Sequence, residues 1–297
     1  MSLPIDATCM LCYLKKYLDL TRTLGDDSKV NAFMREQAQQ FLDLPPHLPS
    51  PALGPGSTEL LRKHYGLEPD RFRAEKEASN AFVVARLEDL RRRVRGAKDP
   101  VLAALQFAIL GNYLDFSALG KEVSFEKLDA MLDEALEMPL DPQMVAQFKG
   151  ELEKGKKLLY LTDNAGEIGF DRICAETLRE QYPHLEITFC VRGGPAMNDA
   201  TREDAAVVGI DFPIIDNGSC IAGIIPEMLG DEAKQALETA DVILSKGMAN
   251  TECLYGSGYN IYFAFLVKCD KFVRIFKKPL MTPMLIQDPN VSKKGTP

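Results

Sequence analysis

The segment KLLYLTDNAGE, residues 157–167, is a short apolar run followed directly by five polar or small residues, 163–167. The run itself is typical of a buried strand, and the apolar stripe that follows, from Phe170 to Leu178, recurs at helical spacing. The polar residues therefore fall between a strand and a helix. In α/β sheets this is the strand end at which ligands bind.

Four more short apolar runs follow at residues 186–191, 212–215, 241–245 and 260–267, and helix-like segments separate most of them. This alternation predicts βαβ units, an α/β fold and a mostly parallel sheet. Because the carboxyl ends of parallel strands share one edge, we expect the polar residues that close these runs to converge. They are Asp163-Asn164, Asn198-Asp199, Asp216-Asn217-Gly218, Lys246-Gly247 and Lys268.

Residues 1 to about 150 show a different pattern, with apolar residues at helical spacing, as at Val30, Phe33 and Met34. The prolines between 45 and 55 predict a connector, and Ser124 is placed to cap a helix. We therefore predict an all-helical N-terminal subdomain (1–150) and an α/β domain (151–297) that carries the site. Residues 292–297 are expected to be a frayed tail.

Composition excludes several classes of protein. The chain has 297 residues, 46% of them hydrophobic, which is enough for a sizeable core. Its net charge of −8 argues against nucleic acid or an anionic membrane as a partner. It has no apolar run of the ~20 residues needed to span a bilayer, and Met1–Asp6 does not resemble a secretory leader. We expect a cytoplasmic protein with reduced cysteines; nothing in the sequence indicates its oligomeric state.

The clearest candidates for metal ligands are Asp163 and Asn164, since adjacent carboxylate and amide oxygens suit Mg²⁺ or a similar cation. Taken alone, they are better explained as an ordinary turn between a strand and a helix. Asp199, after the next run, adds a second carboxylate, and Arg192 adds a group suited to an anion. Two such loops leave room for water and a substrate phosphate, so we favour a metal site.

Further candidates carry weaker signals. Lys246 is placed to act on phosphoryl oxygens, Asn250 and Glu252 to bind substrate hydroxyls, and Lys268 closes an apolar run where a charge needs a partner. Within the helical half, polar residues interrupt apolar helices, and they indicate either internal hydrogen-bond networks or a cap over the substrate: Asn80, Asn112 and Asp115.

Cys9 and Cys12 form a single CxxC motif on a predicted helix. A structural zinc site normally needs a second pair, so we favour buried thiols on one helix face over metal binding.

Together these motifs resemble the metal-dependent damage-control phosphatases, also known as the domain of unknown function 89 family. The similarity extends over nearly the whole chain, and the CxxC is similar to that of the bacterial and archaeal subgroup. The residues that carry it are Asp163-Asn164-Ala165-Gly166-Glu167, Gly194-Pro195, Asn198–Thr201, Lys246-Gly247, Asn250, Glu252, Leu266–Cys269, Lys76, Ser79-Asn80, Gly111-Asn112 and Asp115.

The resemblance implies a Rossmann-like α/β region with helices on both faces, packed against the helical region. It also implies hydrolysis of a small phosphorylated metabolite with a divalent metal (Mg, Mn, Co or Ni) held by Asp163, Asn164 and Asp199. Lys268 would contact the phosphate, and Glu167 and residues 248–252 would face the substrate. Two features depart from the family pattern: Lys15-Lys16 after the CxxC, and Asp70-Arg71-Phe72.

The implied reaction is phosphomonoester hydrolysis, with either metal-bound water or Asp163 as the nucleophile. An aspartyl-phosphate phosphatase of the haloacid dehalogenase type is disfavoured, because Ala165 stands where those enzymes have a second aspartate. A Rossmann-like nucleotide- or cofactor-binding module, or a methyltransferase, is the alternative from another class; no GxGxxG follows the first run.

Overall fold

The centre of the molecule is one six-stranded sheet, seen here in a computed structural model that describes residues 3–291. Its strands are β1 (Lys157–Leu161), β2 (Glu186–Val191), β3 (Ile214–Asp216), β4 (Val242–Lys246), β5 (Ile261–Leu266) and β6 (Pro283–Gln287). They lie in the order β3-β2-β1-β4-β5-β6. Strands β1 to β5 pair in parallel, and β6 pairs antiparallel with β5.

This architecture confirms the predicted α/β fold with a mostly parallel sheet. All five predicted runs form strands, with ends displaced by two residues or fewer; β2 has the predicted limits. Strand β6 was not predicted. It is a short edge strand that follows α13 and pairs antiparallel with β5, a direction that the alternation of strands and helices does not signal.

The four inner strands, β1, β2, β4 and β5, are buried on both faces, which explains their almost uninterrupted apolar character. In β1, Leu158 and Tyr160 belong to the core on one face of the sheet, whereas Leu159 and Leu161 belong to the core on the other. Period-two alternation of a strand thus divides one apolar run between two helical layers.

Eight helices precede the sheet and five follow its first strand in the described part of the chain. The first group is α1 (Ala7–Arg22), α2 (Asp27–Asp43), α3 (Gly54–Tyr65), α4 (Arg73–Val84), α5 (Leu87–Gly96), α6 (Pro100–Gly111), α7 (Phe125–Asp133) and α8 (Pro142–Lys154). The second is α9 (Glu167–Gln181), α10 (Arg202–Val207), α11 (Asp231–Thr239), α12 (Gly247–Leu254) and α13 (Asp270–Phe276).

Helix α6 joins the helical half to the sheet. Ten of its residues, from Val101 to Gly111, are buried, and it packs on α9. Its Phe107 belongs to the same hydrophobic core as Phe170 of α9 and Tyr160 of β1. Because one core spans both halves, the division into two units near residue 150 stays a prediction.

Local expectations had mixed outcomes. Ser124 caps α7 as predicted, its hydroxyl accepting a hydrogen bond from the Lys127 N–H. Pro55 was expected in a connector but lies in the first turn of α3, where its missing N–H has no cost. The predicted tail, 292–297, lies outside the described residues.

The expectation of buried CxxC thiols is wrong. Cys12 is exposed and Cys9 is half-buried, because this part of α1 turns its cysteine face partly to solvent. Burial raises the pKa of Cys9 to about 11.

Across residues 3–291, no helix is both long and apolar enough to cross a bilayer.

Candidate active site

The strand order reverses between β1 and β4, which lie side by side at the centre of the sheet. Connections run outward from this point in both directions, and the crevice at such a switch point is where α/β sheets bind ligands. Residues Thr162–Gly166 follow β1 here, and Lys246 and Gly247 stand at the junction of β4 and α12.

The loops after β1 and β2 are joined by backbone hydrogen bonds. The Ala165 N–H donates to the Asn198 carbonyl at 2.9 Å, and the Ala200 N–H donates to the Asp163 carbonyl at 2.7 Å. One guanidinium then contacts both carboxylates: Arg192 Nε lies 2.6 Å from Asp199 Oδ2, and Arg192 Nη2 lies 3.7 Å from Asp163 Oδ1. The structure thus brings Asp163 and Asp199 to a single side chain.

Asp163 is held tightly from several sides. Its Oδ2 accepts hydrogen bonds from the side-chain amides of Asn112 at 2.9 Å and Asn164 at 2.8 Å. Gly247 lies against the same carboxylate, so close that a Cβ there would meet Oδ2 at 2.0 Å. Burial, and then the neighbouring charges of Asp199 and Glu167, raise the pKa of Asp163 well above its usual value.

The amide of Asn164 is oriented by its neighbours. Its Nδ2 donates to Glu167 Oε2 at 2.6 Å as well as to Asp163, and its Oδ1 accepts from Asn198 Nδ2 at 2.9 Å. A carboxylate can only accept hydrogen bonds, so Glu167 fixes which end of the amide carries the oxygen.

Lys246 is fully buried beneath this loop. Its ammonium donates to Glu167 Oε1 at 2.8 Å, Asp171 Oδ1 at 2.7 Å and the Ala108 carbonyl at 2.7 Å. These acceptors account for all three of its donors. The contact with phosphate expected from the sequence would have to replace one of them. Burial, partly offset by Lys246, raises the pKa of Asp171 to about 7.

Lys268 is linked to Asp163 through Asn112, which contacts both residues. Its ammonium donates to Asp115 Oδ2 at 2.6 Å and to the Asn112 carbonyl at 2.7 Å, which leaves one donor. Burial tends to raise the pKa of Asp115, but Lys268 outweighs it, together with hydrogen bonds from Ser117 and Ala118, and the pKa is lowered.

The polar residues of α4 also reach this centre. Asn80 accepts a hydrogen bond from the Gly166 N–H at 2.7 Å and donates to Asp204 Oδ1 at 2.8 Å. Asp204 in turn pairs with Lys76 at 2.9 Å. A cavity of about 270 Å³ lies beyond them, lined by these residues of α4 and α10. Asn80 therefore holds the glycine turn that follows Asn164.

Asn250 and Glu252 of α12 make contacts of another kind. Asn250 Nδ2 donates to the carbonyls of Thr162 and Lys246, so it ties the ends of β1 and β4 together. Glu252 accepts from the Ser50 hydroxyl at 2.6 Å and pairs with Lys271 at 3.4 Å. Burial, opposed by Lys271, raises the pKa of Glu252.

Sequence reasoning did not single out Asp171, the second carboxylate on Lys246. Its signal was present: it is a charged residue four positions after Glu167, next to the apolar stripe of α9. Asp204 was likewise missed, although it forms a capping box with Thr201 that a sequence can reveal.

The charges around the two loops fit a divalent cation. The carboxylates outnumber the cationic side chains by six to four among the buried residues there: Asp115, Asp163, Glu167, Asp171, Asp199 and Asp204 against Lys76, Arg192, Lys246 and Lys268. Burial raises the pKa of Asp199 to about 6 despite its contact with Arg192.

Within residues 3–291, no cluster of three or more His, Cys, Asp or Glu side chains is arranged to hold a metal. A set built on Asp163, Asp199 and the Asn164 amide has only two carboxylates, and its hard oxygens suit Mg²⁺ or Mn²⁺.

Comparison with known proteins identifies the family. Residues 5–282 match the Damage-control phosphatase ARMT1-like domain. A damage-control phosphatase of Archaeoglobus fulgidus is 39% identical over 61% of this chain and 63% of its own length. A damage-control phosphatase of Pyrococcus horikoshii is 33% identical over 59% of this chain and 61% of its own length. The alignments with these two relatives thus span less than two thirds of each.

Two further comparisons extend over the chain almost completely. An uncharacterized protein of Methanocaldococcus jannaschii is 30% identical over 90% of both chains. The crystal structure of a DUF89 family protein from Pyrococcus horikoshii superposes with a TM-score of 0.79 at 26% identity, covering 96% of this chain and 99% of that one.

Proposed function

The chain belongs to the damage-control phosphatase family with an ARMT1-like domain, and from this we propose that it is a metal-dependent phosphatase of small phosphorylated metabolites, such as sugar phosphates. The reaction is hydrolysis of a phosphomonoester. Overall, one water is consumed: the bond between phosphorus and the ester oxygen breaks, phosphorus gains a hydroxyl, and the alcohol leaves with a proton. The group that attacks phosphorus is either water or Asp163.

One observation carries this proposal. Arg192 is completely buried, yet its Nη1 and Nη2 have no hydrogen-bond partner among the described residues. A buried donor without a partner costs about 1–3 kcal/mol, and native proteins retain such groups where they have a function. The planar fork of an arginine suits phosphoryl oxygens, so a bound phosphate would supply the acceptors that Arg192 lacks.

Asp163, Asn164 and Asp199 are the residues that we propose hold the metal. Bound there, a divalent cation supplies charge neutralisation and polarises a phosphoryl oxygen. Asp163 and Asp199 contribute the negative charge, and Glu167 and Asn198 keep the Asn164 amide in one orientation. These residues therefore meet the requirement that the ligands be fixed before the substrate binds.

Lys268 is proposed to stabilise the charge that develops on the phosphoryl group. Asp115 and the Asn112 carbonyl hold its ammonium in place and leave one donor for a phosphoryl oxygen. Because a positioned donor needs no reorganisation during the reaction, this arrangement favours the transition state.

For Glu167, Lys246 and Asn80 we propose a positioning role in place of the substrate contacts expected from the sequence. Glu167 orients Asn164, Lys246 holds Glu167, and Asn80 holds the Gly166 turn. Each is buried with its hydrogen-bonding groups occupied by protein.

The test is phosphate release from p-nitrophenyl phosphate and from a panel of sugar phosphates. We expect activity that EDTA abolishes and that Mg²⁺, Mn²⁺, Co²⁺ or Ni²⁺ restores. A nucleotide-binding module or a methyltransferase would release no phosphate under any of these conditions, and this result would overturn the proposal.

A matched pair of variants tests the site. Asp163→Asn should lower kcat/KM by about a thousandfold or more, because the loss of one charged or hydrogen-bonding group at a reacting centre usually reduces the rate on that order. Asp216→Asn is the control: Asp216 also ends a parallel strand, but it pairs with Arg202 at the surface. Equal activity of the two folded variants would refute the assignment.

A further inference from the structure

Two cationic side chains from the helical half lie next to the candidate active site. Lys16, on α1, donates from Nζ to the Ser117 carbonyl at 2.8 Å. Arg71, just before α4, places Nη2 3.6 Å from Met197 Sδ. Its guanidinium also lies over the rings of Tyr17, at 5.8 Å, and Phe72, at 4.8 Å.

The residues that they touch lead directly to the centre of the site. Ser117 donates from its hydroxyl to Asp115, the partner of Lys268, and its N–H donates to Asn198 Oδ1 at 3.1 Å. Met197 immediately precedes Asn198 in the loop that carries Asp199. Lys16 and Arg71 therefore both approach the loop after β2 from the helical side.

Neither cation is in direct contact with a carboxylate among the described residues. Although both side chains are half-buried, neither forms an ion pair with any residue in the described part of the chain. Burial and the charge of Arg71 lower the pKa of Lys16 to about 8, with Asp115 and Asp199 opposing the shift. Two cations that repel each other, and that no described carboxylate contacts directly, favour an anion between or beside them.

We propose that Lys16 and Arg71 form a second anion-binding subsite, and that the preferred substrate carries an anionic group in addition to the phosphate that is removed. The second group is a carboxylate or another phosphate, both of which suit the fork of Arg71 and the ammonium of Lys16. This inference rests on the proposed phosphatase function and narrows its substrate class.

The experiment compares substrates that differ only in the second anion. Sorbitol 6-phosphate is compared with 6-phosphogluconate, which has a carboxylate in place of the terminal hydroxymethyl group, and fructose 6-phosphate with fructose 1,6-bisphosphate, which adds a phosphate. We expect kcat/KM to be at least about tenfold higher for one or both of the doubly anionic compounds, the value of one charge-assisted hydrogen bond. The pair that shows the preference identifies the second group.

Four variants assign that preference to the two residues. Lys16→Met and Arg71→Met should each reduce the ratio of kcat/KM between the paired substrates about tenfold. Lys16→Arg keeps the charge and should keep the preference. Lys15→Met is the matched control, because Lys15 is the adjacent lysine on α1 and is exposed to solvent. A wild-type protein without preference, or a preference that survives both methionine variants, overturns the inference.

A binding measurement separates this inference from the proposed function. The same compounds are titrated calorimetrically into the protein as purified, in the cold, where turnover is slow. If no compound releases phosphate but the doubly anionic ones bind about tenfold more tightly in a Lys16- and Arg71-dependent manner, the subsite stands and the phosphatase proposal fails. If phosphate is released but neither rate nor binding depends on the second anion, the subsite fails alone.

Discussion

Replacing Gly247 by alanine is the most direct test of how the site is built. Gly247 adopts φ of +79° at the junction of β4 and α12, a conformation that costs other residues about 1–2 kcal/mol. A Cβ at this position would also lie 2.0 Å from Oδ2 and 2.2 Å from Cγ of Asp163, far inside van der Waals contact. The Asp163 carboxylate must therefore move by roughly 1 Å, since non-bonded atoms do not approach much closer than about 3 Å.

The displacement has two consequences of known size. It weakens the hydrogen bonds from Asn112 and Asn164 to Asp163 Oδ2, each worth about 1.5–3 kcal/mol at a charged acceptor. It also misplaces a proposed metal ligand, and a shift of about 1 Å at a reacting centre costs about a hundredfold in rate. We expect Gly247→Ala to lose about 2–4 kcal/mol of unfolding free energy and at least about a hundredfold in kcat/KM.

Gly66 supplies the control. Its φ is +66°, so alanine suffers similar backbone strain there, but a Cβ would meet nothing within 4 Å. Urea unfolding should show a loss of about 1–2 kcal/mol for Gly66→Ala, with phosphate release unchanged. If folded Gly247→Ala keeps activity within about threefold of the wild type, the close packing of Asp163 does not control the site, and the reasoning is refuted.

Three further predictions concern the buried network beneath the site. Lys246→Met leaves two buried carboxylates without their partner and should lower the unfolding free energy, measured with urea, by about 3–5 kcal/mol. Arg95→Met is the control: it breaks a solvent-exposed ion pair and should leave the urea midpoint of unfolding unchanged. An unchanged midpoint for Lys246→Met would count against the network. Tyr160→Phe removes the hydroxyl that donates to Asp171 at 2.8 Å and should cost about 1–2 kcal/mol by the same assay; a loss no larger than that of a surface substitution would contradict it. Burial raises the pKa of Asp171 in the folded protein to about 7, so the folded protein binds this proton more tightly than the unfolded chain does. The contribution of Asp171 to the unfolding free energy is therefore complete at low pH and is lost as the pH rises from about 4 to 7. Wild-type unfolding free energy should therefore fall relative to Asp171→Asn across that window, by at most about 1.4 kcal/mol per pH unit, and parallel pH profiles would disprove the shift.

The sheet could be predicted from the chain because its signals are local. Leu158 to Leu161 form an apolar run that must be buried on both faces, and the polar residues directly after it mark a strand end. Strand β6 was missed although residues 283–286 are apolar, and its antiparallel pairing with β5 could not be inferred from the alternation of strands and helices, which predicts parallel pairs.

The candidate site was predictable in part. Asp163 and Asp199 follow neighbouring strands, so parallel pairing alone brings their loops to one edge. The roles of Lys246 and Glu167 could not be read in the same way. A lysine at a strand end looks alike whether it faces solvent or is buried, and the acceptor that decides this, the Ala108 carbonyl on α6, is 138 residues away.

The order of apolar runs and polar turns by itself determined that the chain folds as an α/β sheet with its polar residues at one edge, because strand burial and strand direction follow from local pattern. Only the tertiary structure decided which of those polar groups remain available to a ligand. Packing of α4 against α10 and of α6 against α9 occupies the donors of Asn80 and Lys246, while the Nη atoms of Arg192 keep no hydrogen-bond partner among the described residues. That distinction depends on contacts between distant segments, which no short stretch of sequence encodes.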